Sequence, residues 1–334
     1  MFARDIGIDL GTANVLIHVK GRGIVLNEPS VVAIDTTTGK PLAVGEEARK
    51  MVGRTPGNIV AIRPLKDGVI ADFDITEVML KYFINKINAR GFLTKPRMLI
   101  CCPANITSVE QKAIREAAEK SGGKKVYLEE EPKIAAIGAG MDIFQPSGNM
   151  VVDIGGGTTD VAVLSMGDIV TSASIKVAGD KFDHEILQYI KKKYKLLIGD
   201  RTAEDIKIQV ATVFPGARNE SLDIRGRDMV SGLPRTITIY SDEILEALKE
   251  PVSSIVQACR TVLENTPPEL SADIIDRGII LTGGGALLHG IDQLLSEELK
   301  VPVIIAEDPM DCVAKGTGIM LEYIDNLPAK KRLS

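Results

Sequence analysis

Short apolar runs alternate along the chain with stretches in which apolar residues recur every three or four positions. Runs such as 6–10, 97–102 and 151–154 predict buried strands, because a central strand of an α/β sheet is covered on both faces. Stretches with the helical period, such as 75–88 and 180–194, predict amphipathic helices. Strands and helices that follow one another in this way are typical of an α/β protein.

Less regular segments give predictions that depend on glycine, proline or a change of period. Because glycine and proline interrupt regular structure, we place the boundaries of elements at these residues. The resulting predictions are a single strand over 24–34, an exposed insertion over 36–75 with a short helix near 46–51, two helices over 242–249 and 251–265 divided at Pro251, a strand over 274–281 and a helix over 286–299.

An internal repeat consists of a strand, a glycine-rich turn and a second strand. Its first copy carries Asp9 and Gly11, and its second copy, 144 positions later, carries Asp153 followed by the three glycines 155–157. Glycine reaches φ > 0 and has no Cβ, so backbone N–H groups in such a turn can converge on an anion. The repeat predicts two related halves, each with one such turn and an aspartate at its mouth. Either aspartate alone is also explained as the cap of a turn.

Composition excludes several classes of protein. The chain has 334 residues, of which 45% are hydrophobic and 25% charged, which favours a globular protein of two domains. The net charge of −5, the absence of Trp and the low aromatic content argue against a nucleic-acid partner. The four cysteines show no zinc or disulfide spacing, the three histidines are scattered, and no apolar run approaches the ~20 residues of a membrane span. We expect a cytoplasmic protein without a signal peptide.

Two turns with aspartates and a late strand that ends in three glycines together resemble the actin/Hsp70/sugar-kinase superfamily of ATPases. Five motifs narrow the resemblance to bacterial actins of the MreB type, and this resemblance extends over essentially the whole chain. The opening residues are most similar to the Mbl branch of Firmicutes. The motifs are Asp9-Leu-Gly-Thr-Ala-Asn14, Glu130-Glu-Pro132, Asp153-Ile-Gly-Gly-Gly-Thr-Thr-Asp160, Asp200-Arg-Thr-Ala-Glu-Asp-Ile-Lys207 and Leu281-Thr-Gly-Gly-Gly-Ala286.

The resemblance implies an α/β fold in which two related halves, each with a mixed five-stranded sheet, face each other across a nucleotide cleft. Domain I would then comprise 1–140 with a small subdomain at about 36–75, together with a C-terminal helix at about 311–330. Domain II would comprise 141–310 with a small subdomain at about 182–245.

The resemblance also implies ATP and Mg²⁺ as cofactors. Asp9 and Asp153 would hold the metal through its water molecules, since Mg²⁺ dehydrates reluctantly. The implied nucleotide-binding residues are Gly11, Thr12, Ala13, Asn14, Gly155, Gly156, Gly157, Thr158, Glu204, Asp205, Ile206, Lys207, Gly283, Gly284, Gly285, Ala286 and Leu287. On a helix, positions 204 and 207 share a face, so an ordinary exposed ion pair explains that spacing equally well.

Catalysis would require an oriented water molecule, and the resemblance gives this role to Glu131 and Thr158. The neighbouring carboxylates Glu129 and Glu130 remain alternatives to Glu131. A carboxylate is also favoured at a helix N-terminus for electrostatic reasons alone, and a threonine is common in a β-turn.

For function, the resemblance implies slow ATP hydrolysis coupled to polymerisation into membrane-associated filaments that organise cell-wall elongation and rod shape. The partners would be other copies of the chain, paired as protofilaments, the anionic inner face of the cell membrane and the wall-elongation machinery. Phe92 and Leu93 lie among five basic residues between 81 and 97 and are the predicted membrane loop, although they would serve equally well to cover the core.

Two alternatives share the superfamily. An Hsp70-like chaperone would need a peptide-binding domain, for which we expect no room because the sequence ends soon after its last predicted helix. A sugar or small-molecule kinase would need a base for the acceptor hydroxyl, and Glu131 could serve as one.

Overall fold

The computed structural model describes residues 5–87, 95–104 and 106–326. Its strands are β1 (Ile6–Leu10), β2 (Asn14–Val19), β3 (Gly23–Pro29), β4 (Val32–Asp35), β5 (Pro41–Val44), β6 (Ile59–Ile62), β7 (Leu65–Lys66), β8 (Val69–Ile70), β9 (Arg97–Cys102), β10 (Lys125–Glu130), β11 (Asn149–Ile154), β12 (Thr159–Ser165), β13 (Asp168–Ile175), β14 (Leu196–Leu197), β15 (Ser221–Asp228), β16 (Pro234–Tyr240), β17 (Ile279–Thr282) and β18 (Val303–Ile305). Its helices are α1 (Glu46–Arg49), α2 (Phe73–Lys86), α3 (Ser108–Lys120), α4 (Glu131–Gly138), α5 (Gly179–Tyr194), α6 (Asp200–Gln209), α7 (Ser241–Glu264), α8 (Pro268–Arg277), α9 (Ile291–Leu299) and α10 (Cys312–Asn326), with 3₁₀ turns at Gly284–Leu287 and Pro309–Asp311.

Two five-stranded sheets have the same strand order, β10-β9-β1-β2-β3 and β18-β17-β11-β12-β13. In each sheet the first three strands run parallel to one another and the last three form antiparallel pairs. Asp9 is registered with Cys101 of β9, and Asp153 with Thr282 of β17, so the two aspartates occupy matching places. The predicted pair of related halves with mixed five-stranded sheets is confirmed.

The central strands are buried along their whole length. Every residue of β1 and of β11 is buried, as the continuous apolar runs of the sequence predict for strands covered on both faces. Each half has its own apolar core, and a third cluster, containing Leu99 from the first sheet and Val151 from the second, joins them through α4 and α10. The two halves therefore share a packed junction.

At this junction the backbones of α4 and α10 touch. A Cβ added to Gly138 would lie 1.7 Å from the carbonyl oxygen of Cys312, and one added to Gly316 would lie 2.0 Å from that of Ile134. The small residues predicted to allow close helix packing thus have a definite partner. No residue larger than glycine fits at either position without moving a helix.

The predicted strand over 24–34 is wrong, because it is divided into β3 and β4. Between them, Ser30 donates its N–H to the carbonyl oxygen of Ala13 at 2.8 Å and its hydroxyl to that of Gly11 at 2.7 Å. These bonds hold the chain to the first glycine turn. β4 then enters a separate three-stranded sheet of order β5-β4-β6, so the segment over 36–75 contains strands as well as the predicted short helix.

Three further predictions around helices are wrong. α7 continues through Pro251, which is buried, because apolar residues on both sides of it pack into the core and hold the helix together despite the lost backbone hydrogen bond. Ile274 belongs to α8 rather than to a strand, and β17 begins only after Gly278, whose φ of 81° ends the helix. Similarly, the predicted helix over 286–299 is a 3₁₀ turn followed by α9, with a break at Gly290.

Candidate active site

The two glycine turns lie against each other where β1 and β11 end. A Cβ added to Gly156 would lie 2.7 Å from the Cβ of Ala13, and one added to Gly157 would lie 2.6 Å from Oγ1 of Thr12. The φ angles of the second turn's three glycines are not positive, so the expected use of left-handed backbone is wrong here. Glycine is needed in this turn for the close approach of the opposite turn.

Helix α5 begins directly on the second turn. Gly179 donates its N–H to the carbonyl oxygen of Gly155 at 3.1 Å, and Asp180 donates to that of Gly156 at 2.8 Å. A bond of 2.9 Å from the N–H of Gly155 to the carbonyl oxygen of Thr158 closes the turn itself. The positive end of the α5 dipole is thereby directed at the cleft, where it favours a bound anion.

Four acidic side chains lie where the turns meet, and three of them, Asp9, Asp153 and Asp160, are buried. Burial first, and then repulsion from Asp153 and Asp311, raise the pKa of Asp9 to about 8. Burial raises the pKa of Asp153 to about 7, although Thr282 donates its hydroxyl to Oδ1 of this carboxylate at 2.6 Å. Burial also raises the pKa of Asp160, while desolvation and repulsion from Asp153 raise the pKa of the partly buried Glu131 well above the usual range.

These acids are a suitable environment for a hydrated cation. They present only oxygen donors, which Mg²⁺ prefers, and Oδ2 of Asp160 is a buried acceptor without a hydrogen-bond partner. Over 5–87, 95–104 and 106–326, no group of three or more His, Cys, Asp or Glu side chains is arranged to hold a metal ion directly. A metal held by Asp9 and Asp153 through its own water molecules does not need such a group, so these residues fit Mg²⁺ in that mode.

The three candidate glutamates differ in their surroundings. Glu129 forms an ion pair of 3.3 Å with Lys133, and Glu130 is half-buried at the end of β10. Glu131 is the first residue of α4, and its carboxylate is close enough to Asp153 and Asp9 to be affected by their charges. Among the three, only the pKa of Glu131 is raised by the charges of both Asp9 and Asp153. Thr158 is also buried, and its hydroxyl acts to lower the otherwise raised pKa of Asp160, which lies in the same cluster.

Only part of the predicted stretch 204–207 is directed at the cleft. Lys207 forms an ion pair with Asp183 at 2.9 Å and donates to the carbonyl oxygen of Gly179 at 3.3 Å, so it lies beside the N-terminus of α5. Ile206 is fully buried in the core of the second half, and Asp205 is exposed. Glu204 is partly buried on the same side of α6 as Lys207.

The third glycine motif lies against the end of β11. Gly283 has φ 79°, and a Cβ added to it would lie 2.4 Å from the carbonyl oxygen of Ile154. A Cβ added to Gly285 would lie 2.2 Å from Cγ2 of Ile154. Ala286 is buried and Leu287 is 56% exposed. The motif is therefore brought next to the second turn, where its exposed members are accessible to a ligand.

Sequence reasoning missed one element of the site, the β7–β8 hairpin. Its tip consists of Asp67 and Gly68, with φ angles of 52° and 76°, and Gly68 donates its N–H to Oγ1 of Thr12 at 3.0 Å. An Asp-Gly pair between short apolar segments is a strong hairpin signal, so the element could have been found. Its contact with the first turn could not, because nothing local in the sequence indicates it.

The predicted membrane loop, Phe92 and Leu93, lies outside the described residues. Within the described residues, no helix has both the length and the apolar character needed to cross a membrane.

Two matched α/β halves with opposed glycine turns at their cleft define an actin-like ATPase fold. The chain matches the family model described as MreB/Mbl protein over residues 3–329. It is 82% identical to the cell shape-determining protein Mbl of Bacillus cereus and 80% identical to that of Bacillus subtilis, with 99% of both chains covered in each comparison. The chain belongs to the MreB/Mbl family, and the predicted resemblance to its Mbl branch is confirmed.

A solved structure supports the same conclusion about the fold. The crystal structure of MreB5 of Spiroplasma citri bound to AMPPNP superimposes with a TM-score of 0.93 at 43% identity, and the match covers 97% of this chain and 98% of that one. The predicted actin-like fold is confirmed.

Proposed function

We propose that this chain is an ATP-dependent, filament-forming bacterial actin that associates with the membrane and organises cell-wall elongation and rod shape. The observation that carries the proposal is the pair of opposed glycine turns with Asp9 and Asp153 buried at matching positions between them. The relatives named as cell shape-determining proteins, and the related MreB5 bound to a nucleotide analogue, support it.

In this proposal the residues of both halves bind one nucleotide. Backbone N–H groups of the turns at 11–14 and 155–158 donate to phosphate oxygens from two sides. Glu204 and Lys207 bind the nucleoside from α6, and residues 283–287 close over it. Bound Mg²⁺ would neutralise charge on the β and γ phosphates. Asp9 and Asp153 would hold it through its water molecules.

Hydrolysis also requires a water molecule to be oriented towards the γ-phosphate. Glu131 accepts a hydrogen bond from that water, and its raised pKa makes it a stronger base than an exposed glutamate. Thr158 orients the same water through its hydroxyl. These roles make the activity a slow ATPase rather than a transferase, since no acceptor other than water is needed.

The proposed domains follow the two sheets. Domain I comprises 1–140, with a subdomain at about 36–75 around the β5-β4-β6 sheet, and it also includes the last helix. Domain II comprises 141–310, with a subdomain at about 182–245 that includes the β14-β15-β16 sheet. The contact of α10 with α4 and β1 supports the assignment of the last helix to domain I.

Copies of the chain assemble into filaments at the cytoplasmic face of the membrane, where the wall-elongation machinery is the further partner. Phe92 and Leu93 of one copy contribute only a few kcal/mol to membrane binding, by the usual value for buried apolar area. A filament presents many such loops on one surface. Its membrane binding is therefore tight by multivalency although each loop binds weakly.

The proposal is tested by incubating the protein with Mg²⁺ and ATP and measuring sedimentation together with phosphate release. We expect ATP-dependent pelleting and slow hydrolysis. Asp153→Ala should lower hydrolysis by about 10²-fold, the usual cost of removing a group that stabilises the transition state, while the protein stays folded by circular dichroism. Asp276→Ala, which removes an exposed carboxylate on α8, is the control.

Two results would overturn the proposal. Wild-type protein that neither pellets nor hydrolyses ATP is not a polymerising ATPase. ADP formation that occurs only after a sugar or another small hydroxyl compound is added would show a kinase of the same fold.

A further inference from the structure

An ion pair joins the two halves at the edge of the cleft. Nη1 of Arg63, the residue that follows β6 in the first half, lies 2.8 Å from Oδ1 of Asp180 in the first turn of α5. The two residues are 117 positions apart in the chain. Glu204 and Asp183 of the second half are also near enough for their charges to act on Arg63. The guanidinium of Arg63 therefore bridges the first half to the acidic surface beside the candidate nucleotide site.

A few residues further on, the same segment lies between the glycine turns. Gly68 donates its N–H to Oγ1 of Thr12 in the first turn, and a Cβ on Gly68 would lie 3.1 Å from Cγ2 of Thr158 in the second. A Cβ on Gly157 would lie 3.0 Å from the Cα of Asp67. The Asp67–Gly68 tip is thus in van der Waals contact with the backbone and the threonine that form the second turn.

Both contacts reach the same turn. The backbone of Asp180 is bound to Gly156 by a hydrogen bond of 2.8 Å, so the ion pair attaches Arg63 to the second turn through α5. The hairpin tip reaches that turn directly, at Gly157 and Thr158. Since only three residues separate Arg63 from Asp67, a movement of one contact is transmitted to the other.

We propose that Arg63 is a positioning residue for ATP hydrolysis. Its ion pair with Asp180 holds the Asp67–Gly68 tip against Thr158, which fixes the threonine that orients the water, and it keeps the two halves closed over the nucleotide. This inference rests on the proposed ATPase function. It adds a residue that contacts neither nucleotide nor metal, and it implies that release of nucleotide requires the ion pair to open.

The test compares Arg63→Ala and Asp180→Ala with the wild type in two measurements, the dissociation rate of a fluorescent ATP analogue and the kcat of phosphate release. Ion pairs of similar exposure are worth a few tenths to about 1 kcal/mol, so we expect dissociation to be about two- to fivefold faster and kcat to be lower by a similar factor. Arg63→Lys should stay near the wild type, because a single nitrogen of Arg63 makes the contact with Asp180.

Two further variants separate positioning from general stability. The double variant Arg63→Asp with Asp180→Arg exchanges the two charges, and it should restore both rates towards the wild type. Arg260→Ala breaks an equally exposed ion pair with Glu298 that lies wholly within the second half, and it should change neither rate.

The outcomes distinguish this inference from the proposed function. If the wild type hydrolyses ATP and Arg63→Ala and Asp180→Ala leave both rates unchanged, or the charge exchange fails to restore them, the inference is wrong and the function stands. If Arg63→Ala fails to fold, the inference is judged from Arg63→Lys and the charge-exchange variant. The same two measurements are used, the dissociation rate of the analogue and the kcat of phosphate release. A wild type that neither binds the analogue nor hydrolyses ATP overturns both.

Discussion

At the scale of single residues, the cleft is a group of acids held close together and away from water. Asp9 and Asp153 have equivalent positions in the two sheets, with the buried Asp160 and the partly buried Glu131 near them. A folded protein bears a cost for ionising such groups unless a cation is present. Their raised pKa values are therefore a direct consequence of the same arrangement that would favour a hydrated metal.

This cost predicts how stability depends on pH in the protein without metal and nucleotide. Folding raises the pKa of Asp9 from 3.8 to about 8 and that of Asp153 from 3.8 to about 7, so the folded state binds protons more tightly than the unfolded state. The contribution of these groups to the stability of the folded state is fully present below their unfolded pKa. It is lost as the pH rises through their pKa values in the folded state. We expect the midpoint temperature of thermal unfolding to decrease as the pH is raised from ~5 to ~8.

The same measurement on Asp9→Asn tests the cause. Asparagine carries no charge at any of these pH values, so the fall should be smaller by at least about 1 kcal/mol in the free energy of unfolding, because one pKa unit corresponds to about 1.4 kcal/mol. Asp276→Asn, on the exposed face of α8, should keep the slope of the wild type. An Asp9→Asn protein with an unchanged slope would contradict the explanation.

The sequence predicted these residues to different depths. The repeat placed Asp9 and Asp153 correctly at the ends of matched strands, because register follows from apolar pattern and turn length. It did not indicate why the second turn needs glycine, since the contact with Ala13 is made by the opposite half. Nor did it distinguish Ile206, which is in the core, from its neighbours at 204 and 207. Their roles in nucleotide binding remain predictions.

At the scale of elements, the closest packing is between α4 and α10. The helices approach until the backbone of one touches the other at Gly138 and Gly316, and α4 begins with Glu131 at the cleft. The position of the candidate base therefore depends on a helix contact at the junction of the halves. The small residues of both helices made close packing predictable. They did not indicate which helix each would pack against.

Gly316→Ala should destabilise the protein strongly. The new methyl group would lie 2.0 Å from the carbonyl oxygen of Ile134, which cannot move without shifting α4. Overpacking of this kind costs about 1–3 kcal/mol, and we expect the upper end because the obstacle is backbone. Denaturant unfolding followed by circular dichroism measures the loss.

Gly57→Ala is the matched control, because a Cβ at Gly57 meets nothing within 4 Å and its φ is not positive. It should be neutral or slightly stabilising. Equal stability of the Gly316→Ala and Gly57→Ala proteins would show that α4 and α10 can separate without cost.

Local signals failed where packing decided the element. Pro251 was expected to end a helix, but the apolar stripe of α7 is buried on both sides of it. The run 274–281 is apolar at both ends, and the polar segment Asp276-Arg277-Gly278 between them, where α8 gives way to β17, was not recognised as a boundary. At Pro251 the period of buried positions, which only the folded partner reveals, determines the structure.

At the scale of the whole molecule, the two halves are joined in more ways than the repeat implies. The repeat and the motifs predicted the fold and its cleft. The ion pair of Arg63 with Asp180 and the contact of the hairpin tip with Thr158 were not predictable, because each depends on how one half is placed against the other. Such contacts join residues far apart in the chain and leave no local pattern.

Membrane association is a property of the whole surface and can be tested independently of the cleft. The combined change Phe92→Ser with Leu93→Ser should abolish co-sedimentation with anionic liposomes, because it removes the apolar side chains that would enter the lipid. ATP hydrolysis should be unchanged. Met166→Ser, which alters an apolar side chain that is 75% exposed in the second half, should leave co-sedimentation intact.

Undiminished co-sedimentation of the double variant would assign membrane binding, if the wild type shows it, to another surface. Phe92 and Leu93 would then be interpreted as cover for the core, the alternative that the sequence left open.

The return of α10 to the first half also affects how the chain folds during synthesis. α10 packs on β1 and α4, so the first half lacks one of its layers until residues 312–326 have left the ribosome. The second half, by contrast, has emerged almost completely before that point. The first half of a nascent chain therefore exposes the apolar side of its sheet for nearly the whole period of translation. We expect this half to depend on chaperones more than the second half does.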